Sequence, residues 1–465
     1  MDKSREVTEE SPLLGKGRPP LYTYALAACA ALNSVNLGYD MGVNSGVSMI
    51  VEEEWSLTPW QVGFYMGSLS FVAGFGALLT SGIADRFGRC TTFAVSQVAF
   101  IIGVAMSAAA PNYWWLMGGR IFLGIGIGIG QAIDPLYIAE VSPADYRGSL
   151  TTWSEFAINL GILLGFASNS MLVGLGKNVA WRVMLAVGLV LPVVLLFLSL
   201  CVMPESPRWL MMKSRHAEAE HVLRRTHAPG TDLRPVLDEL QAQVEETTHE
   251  CGWHDLFNAF RTPGPTRRML LVGIGIAFAQ QANGSDSLVQ FSPRVFENAG
   301  AKSTHTQFLL TLTMGVVKTV FISIAAFLLD DAGRRPLLLY SNVSMALCHA
   351  LLAVSLYMDW ALAASVAVML FVAAFSLGMG PVCWLLASEV FPLQYRGRAM
   401  SAAVFVNRMM SALVATSFLP LSNALTFPGC FMLFGAITAA LAGIIAKTVP
   451  ETKMLTLEQM STTFT

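Results

Sequence analysis

Apolar residues run in long blocks between residues 22 and 448, interrupted at short intervals by charged turns. Blocks long enough to cross a hydrocarbon core, about 20 residues each, are predicted at 22–48, 60–82, 91–110, 114–139, 150–172 and 182–203. After a polar segment, six more are predicted at 269–292, 306–329, 336–357, 361–387, 399–422 and 427–448. The pattern predicts an all-α membrane protein with twelve transmembrane helices in two six-helix halves. The expected divisions are a cytoplasmic N-terminal tail (1–20), a first half (21–204), a cytoplasmic helical linker (205–267), a second half (268–450) and a short cytoplasmic C-terminal tail (451–465).

The halves repeat one another. Glu140-Val141-Ser142-Pro143-Ala144-Asp145-Tyr146-Arg147-Gly148 returns 249 residues later as Glu389-Val390-Phe391-Pro392-Leu393-Gln394-Tyr395-Arg396-Gly397. Asp85-Arg86-Phe87-Gly88-Arg89 is echoed by Asp330-Asp331-Ala332-Gly333-Arg334, and Pro204-Glu205 by Pro450-Glu451. Three echoes in one order mark two pseudo-symmetric copies of one design, as in secondary transporters. Each copy sets a Glu near a helix end and an Arg seven residues on, after a Pro that ends the helix. Together with Asp85, Arg89, Glu205, Asp330, Arg334, Arg335 and Glu451, the residues Glu140, Arg147, Glu389 and Arg396 are expected to form a gating latch of ion pairs. The forked donors of Arg suit such multidentate pairing.

Hydrophobic residues make up 54% of the chain and charged residues 13%, against about 25% charge in soluble proteins. A net charge of −2 offers no nucleic-acid surface. The first 18 residues are polar, without the apolar core of a cleavable signal peptide. Seven scattered cysteines show no paired spacing, so neither disulfides nor a metal site are expected. Arg86, Arg89, Arg147, Arg334, Arg335, Arg396 and Arg398 fall in alternate loops, on one side with the linker's Arg208, Lys213, Arg215, Arg224 and Arg225. The opposite loops hold Glu52-Glu53-Glu54 or almost no charge. The positive-inside rule therefore places both termini in the cytoplasm. His216, His221, His227, His249 and His254 crowd the linker without metal-ligand partners at the right spacing. In the tail, Glu9-Glu10-Ser11-Pro12-Leu13-Leu14 fits an acidic dileucine signal read by adaptor proteins. It makes a vacuolar or endosomal membrane the alternative to the plasma membrane.

Seven ionisable residues fall inside predicted spans: Asp40, Arg120, Asp134, Glu155, Asp286, Lys318 and Arg408. Such groups are expensive in lipid and are expected to face partners or a polar pathway. Gly124, Gly126, Gly128 and Gly130 follow Arg120. This run is expected to let helices close up and bring Arg120 against the first helix, where Asp40 lies between Gly38 and Gly42. Burial and a nearby Arg act on a carboxyl in opposite senses, so Asp40 with Arg120 suits proton coupling. Gln280, Gln281, Asn283, Ser285, Asp286, Ser287 and Gln290 crowd the seventh span, a donor and acceptor set matching a polyhydroxylated ligand. Trp384, after Gly380-Pro381, offers an apolar face for a carbon skeleton.

These residues resemble the sugar porter branch of the major facilitator superfamily across nearly the whole chain after about residue 20. The marks are Gly38-Tyr39-Asp40, Asp85 to Arg89, Gly119-Arg120, Pro135 to Gly148, Pro204 to Leu210, Gln280-Gln281, Gly333-Arg334-Arg335 and Pro450-Glu451-Thr452. Within that branch the chain is most similar to plant-type polyol/monosaccharide transporters, on Glu155 to Gly165, Gly315 to Thr319 and Asn407-Arg408. The resemblance implies the major facilitator fold and proton symport of linear polyols and monosaccharides, with no cofactor beyond the coupling proton. It also implies that Asp40 carries the proton with Arg120 as partner. Glu155, Asn159, Gln280, Gln281, Asp286, Lys318, Trp384, Asn407 and Arg408 are then expected to bind substrate. Glu155, Asp286 and Lys318 stand where hexose carriers have amides, Cys90 replaces a basic residue, and Ser376 replaces a Glu. Asp134 is an extra acid with no family role. The rival readings are an uncoupled facilitator of the same fold and a non-transporting sugar sensor, the latter disfavoured by the short stretch after Glu451. No nucleophile–base set lies outside the apolar blocks, and the glycine run has no strand before it, so no enzyme is expected.

Overall fold

A computed structural model describes residues 19–143, 146–229, 232–247 and 253–452, apart from a few side chains including those of Arg147 and Asp330. The dileucine stretch Glu9–Leu14, His249 and those two latch side chains thus lie outside the described set.

The first half contains α1 (Leu21–Trp55), α2 (Pro59–Phe87), α3 (Arg89–Ala108), α4 (Tyr113–Val141) and α5 (Arg147–Leu172). Its sixth span is made of α6 (Lys177–Val187) and α7 (Val190–Cys201). The linker carries α8 (Pro207–Met212), α9 (His216–Thr226), α10 (Arg234–Thr247) and α11 (Trp253–Arg261). The second half opens with a broken span, α12 (Pro265–Ala282), α13 (Ser285–Gln290) and α14 (Ser292–Asn298). Then come α15 (Thr304–Ala332), α16 (Arg334–Tyr357), a broken tenth span of α17 (Ala361–Leu377) and α18 (Met379–Val390), and α19 (Arg396–Thr448). α19 is two spans in one, because Thr426 leaves the helical region between Pro420 and Pro428. Twelve crossings result, as the apolar blocks predict. The helices overrun those blocks, α1 by seven residues to Trp55, because helical hydrogen bonding continues into polar sequence that hydropathy does not register.

Local chemistry sets the boundaries. Pro59 occupies the first turn of α2, and Thr58 and Gln61 cap it reciprocally: the Thr58 N–H donates to Gln61 Oε1 at 2.8 Å, and the Gln61 N–H to Thr58 Oγ1 at 3.3 Å. Asn112 caps α4 through the Trp115 N–H at 3.0 Å. Gly88 and Gly333 stand at equivalent turns with φ of 97° and 82°. A Cβ there would meet the carboxylates of Glu205 and Glu451 at 2.3 and 2.9 Å. Glycine is required twice for one reason, a left-handed turn pressed against a carboxylate.

Among the described residues, nine helices are long and apolar enough to cross a membrane by composition. α1 and the α12–α14 span are not among them. They carry the polar residues, and those residues are buried: Asn33, Ser34, Asn36, Asp40 and Asn44 on α1, and Gln280, Gln281, Asn283 and Gln290 on the seventh span. The least apolar spans thus lie innermost. α1 presses on α5, where a Cβ on Gly38 would strike the Ile158 carbonyl oxygen at 2.0 Å and one on Gly161 the Val35 oxygen at 2.2 Å. The halves meet along α2 with the first part of α19 and along α5 with α15. Ser70 and Ser411 hydroxyls approach to 3.1 Å across that seam, and Glu52 pairs with Arg294. The linker helices α8 and α9 share a small core of Leu210, Met211, Ala219 and Val222. The Thr23 hydroxyl donates to the Thr226 carbonyl at 2.7 Å, tying α9 to the start of α1.

Candidate functional site

Asp40 and Arg120 face each other at the centre of the first half. Arg120 Nη1 donates to Asp40 Oδ2 at 3.0 Å, with both side chains almost fully buried. The guanidinium lies over the Tyr65 ring, 4.7 Å from its centroid. Tyr65 donates to Asn44 Oδ1, and Asn44 Nδ2 to the Asp40 carbonyl at 2.6 Å. Arg120 Nε has no hydrogen-bond partner among the described residues. The expected role of the α4 glycines needs correction. A Cβ on Gly124 or Gly128 would strike α2, at Val72 and Ala73, while one on Gly119 or Gly126 would strike α3. Only Gly130 abuts α1, at Asn33. Glycines two residues apart point to opposite sides of a helix, so the run wedges α4 between α2 and α3. Arg120 reaches Asp40 by its own length. The close approach to α1 comes instead from α5, through Gly38 and Gly42 against Gly161 and Gly165.

A cavity of about 60 Å³ lies between the halves. It is lined by Glu155 and Asn159 of α5, Gln280 and Gln281 of α12, Asp286 of α13, Lys318 of α15, Trp384 of α18 and Arg408 of α19. Eight of the nine residues expected to bind substrate therefore share one wall. Asn407 stands behind it. Its Nδ2 donates to Gln280 Oε1 and to the Ala277 carbonyl, each at 2.8 Å, and its Oδ1 accepts from Arg408 Nη2 at 2.8 Å. Gln280 Nε2 donates to the Gly380 carbonyl at 2.9 Å, at the break in the tenth span. The seventh span breaks where Gly284 takes φ of 79°, and Asn283 Oδ1 accepts the Ser285 N–H at 2.9 Å. The break turns Asp286 towards the cavity, where Ser411 donates to it at 2.9 Å. No ion pair joins Glu155, Asp286 and Lys318 among the described residues; the Lys318 ammonium lies 5.9 Å from the centroid of Phe375. Gln131, Phe375 and Ser376 complete the wall. Gln131 went unnoticed in the sequence, although an amide four residues after Ile127 in an apolar span was the available signal.

A second, smaller cavity adjoins the first and is walled by Asp40, Arg120, Asn44, Ser70 and Gln290. Arg408, Leu37 and Met41 border both.

On the face that carries the repeated motifs, Arg89 grips Glu140 through two bonds of 2.8 and 2.7 Å and touches Asp85 at 3.2 Å. Glu205 accepts the N–H groups of Arg89 at 2.7 Å and Cys90 at 3.3 Å, capping α3. Burial pushes the Glu205 carboxyl up from its ordinary value, and these N–H bonds with that of Ser206 pull it back. The second half repeats the scheme. Arg334 Nη2 donates to Glu389 at 3.0 Å, and Glu451 accepts the N–H groups of Arg334 and Arg335 at 3.0 and 3.2 Å. These bonds join each network to helices of its own half. Arg396 bonds the Phe391 carbonyl at 3.3 Å, bracing its own turn.

A family model described as "Sugar (and other) transporter" matches residues 26–464. The chain belongs to that family. It is 42% identical to probable polyol transporter 4 of Arabidopsis thaliana, over 95% of this chain and 85% of that one. It is 31% identical to the arabinose-proton symporter of Escherichia coli (strain K12), over 94% and 92%. Among solved structures it is similar to the major facilitator superfamily proton:xylose symporter XylE bound to 6-bromo-6-deoxy-D-glucose, with a TM-score of 0.81, 27% identity and coverage of 96% and 99%. The inward open conformation of XylE from E. coli matches with a TM-score of 0.80, 25% identity and coverage of 95% and 100%. The fold is that of the major facilitator superfamily, and the family is one of transporters, not enzymes.

Proposed function

We infer that this family member carries polyols or monosaccharides across a membrane together with protons, by alternating access. The observation that carries the reading is the shared border of two cavities: one holds a buried carboxyl–guanidinium pair, the other a wall of amides and fixed charges. In this reading Asp40 takes the proton and Arg120 senses its charge. When Asp40 is protonated, Arg120 loses its countercharge, and Arg408, bordering both cavities, transmits the change to the substrate wall. Gln280, Gln281, Asn159, Glu155, Asp286, Lys318 and Arg408 bond hydroxyls, charged groups making the stronger bonds. Trp384 covers the carbon skeleton, and Asn407 holds Gln280 and Arg408 in place.

The two halves, 21–204 and 268–450, rock about the cavity, with 205–267 as the bridge. The networks around Arg89 and Arg334 keep each half rigid as it moves, which makes Glu205 and Glu451 braces of the gate. Arg147 and Asp330, as members of the repeated motifs, are assigned the same gating role. Both termini lie in the cytoplasm, and the plasma membrane is the site of action. Adaptor recognition of the Glu9–Leu14 stretch would redirect the carrier to an endosomal or vacuolar membrane.

Uptake of labelled sorbitol, mannitol, xylitol, myo-inositol, glucose, fructose and xylose in a transport-deficient yeast tests the reading. Polyol or monosaccharide uptake that collapses with a protonophore is expected. Uptake indifferent to the protonophore would make the protein a facilitator, and no uptake with the protein at the surface would favour a sensor.

A further inference from the structure

The proton reading leaves one buried acid unused. Asp134 on α4 is fully buried, has no ion pair among the described residues, and is held by two neutral donors. Asn33 Nδ2 reaches its Oδ1 at 2.8 Å and Ser34 Oγ its Oδ2 at 2.7 Å. Asn33 is itself fixed by Gln97, whose Nε2 donates to Asn33 Oδ1 at 2.7 Å while its Oε1 accepts from Asn36 at 3.1 Å. The titratable groups on the packed elements are engaged elsewhere or lie to one side. Tyr137 donates to the Pro204 carbonyl at 2.9 Å, the Cys90 thiol to the same oxygen at 3.1 Å, and Cys29 lies a turn before Asn33. A bare carboxylate sealed among neutral groups at membrane depth is costly.

Asp134 also borders a space of its own. A small cavity is lined by Asp134, Asn33, Ser34 and Gln131. Leu37 and Ile127 wall it off from the Asp40 cavity, while Leu37 and Gln131 divide it from the substrate cavity. Two buried oxygens, Gln131 Oε1 on its wall and Asn36 Oδ1 on α1, have no hydrogen-bond partner among the described residues. Pro135, inside α4, has no N–H to give the Gln131 carbonyl, which leaves a further acceptor for water. Asp134 lies fourteen residues beyond Arg120 along α4, about 21 Å at 1.5 Å per residue, towards the face that carries Arg89 and Glu140.

We propose that Asp134 is a second proton-carrying carboxyl, the relay between Asp40 and the face of the repeated motifs. This rests on the proton-coupled reading above. Water entering past Leu37 and Ile127 carries the proton. The O–H bond of the Asp40 acid breaks, an O–H bond forms on Asp134, and Asp40 is left as a carboxylate paired with Arg120. Asp134 then gives its proton to water on the motif-bearing side. Ser34 suits both states, since its hydroxyl donates to a carboxylate or accepts from an acid.

The test uses purified full-length protein in liposomes with a pH-sensitive dye inside and labelled sorbitol and xylose as probes. Asp134→Asn keeps the size and removes the titration. It is expected to retain substrate counterflow at equal pH within about twofold, while net uptake driven by a proton gradient falls at least fivefold and loses its pH dependence. Asp134→Glu should restore gradient-driven uptake in part. Ser34→Ala, which leaves the acid in place, should shift the pH profile without abolishing counterflow. Wild-type gradient-driven uptake and pH profile in Asp134→Asn would overturn the proposal. So would equal loss of counterflow and net uptake in Asp134→Asn with an unshifted profile in Ser34→Ala, the mark of a purely structural residue. Substrate uptake without proton uptake in the wild type would instead overturn the proton-coupled reading, and this proposal with it.

Discussion

The two halves share a design and differ in what they place at its centre. In the first half, α1 is one unbroken helix, and its buried acid is paired directly with Arg120 at 3.0 Å. In the second half, the corresponding span breaks at Asn283 and Gly284, and its centre is an amide network of Gln280, Gln281 and Asn407. A continuous helix fixes one charge against one partner. A broken helix exposes backbone and turns several polar side chains into a cavity, as ligand sites in transporters do. From this difference we propose a division of labour: the buried acid of the first half carries the proton, and the substrate wall draws most of its polar groups from the second half, with Glu155 and Asn159 added from α5.

The largest expected effect strikes the first half. A gradient of one pH unit stores about 1.4 kcal/mol per proton, enough for about tenfold accumulation. Wild type should approach that bound, whereas Asp40→Asn should bring labelled substrate only to equal concentration on both sides. Next come the two ionic braces, which are alike in layout and unlike in burial. Arg89 and Glu140 side chains are 3% and 5% exposed, against 14% and 25% for Arg334 and Glu389. Removing one member of a buried pair costs about 3–5 kcal/mol, so Arg89→Ala should lower thermal stability severely. Arg334→Ala should cost about 1 kcal/mol, read as the smaller shift in Tm. Equal shifts would show that the halves do not differ in this respect.

On the substrate side, Gln280→Ala deletes one donor–acceptor group from the cavity wall. At about 1.4 kcal/mol for a lost bond to substrate, KM should rise about tenfold with the dependence on the proton gradient intact. The smallest effect is expected at the seam. Ser70→Ala removes the hydroxyl contact with Ser411, worth about 0.5–1.5 kcal/mol, and should alter transport rates less than threefold. A change in KM as large as that of Gln280→Ala would place the seam within the binding site.

Much of this was legible in the sequence because membranes impose simple rules. Apolar blocks gave twelve crossings, and the doubled Glu–Arg motif gave two halves. Asp40 and Arg120 could be paired because ions at depth need partners. Eight of the nine residues expected to bind substrate share one cavity because polar side chains in lipid have few other places to go. What the sequence hid was neighbourhood. The glycine run of α4 advertised a close approach without saying to which helix, and α2 and α3 took it. Asn407 looked like a lining residue, yet its amide faces Gln280 and Arg408. The carboxylates of Glu205 and Glu451 cap α3 and α16 through backbone N–H groups, contacts that no side-chain pattern announces. Whether the braces span the halves or stay within them depended on packing, which three short motifs do not encode.

The division of labour is tested most directly by binding of labelled sorbitol and xylose to purified wild type, Asp40→Asn and Gln280→Ala at acid and at neutral pH. Wild type should bind more tightly at acid pH. Asp40→Asn should bind as acid wild type does at both, and Gln280→Ala should bind weakly with its pH dependence preserved. Loss of the pH dependence in Gln280→Ala, or its survival in Asp40→Asn, would contradict the separation of the proton site from the substrate wall.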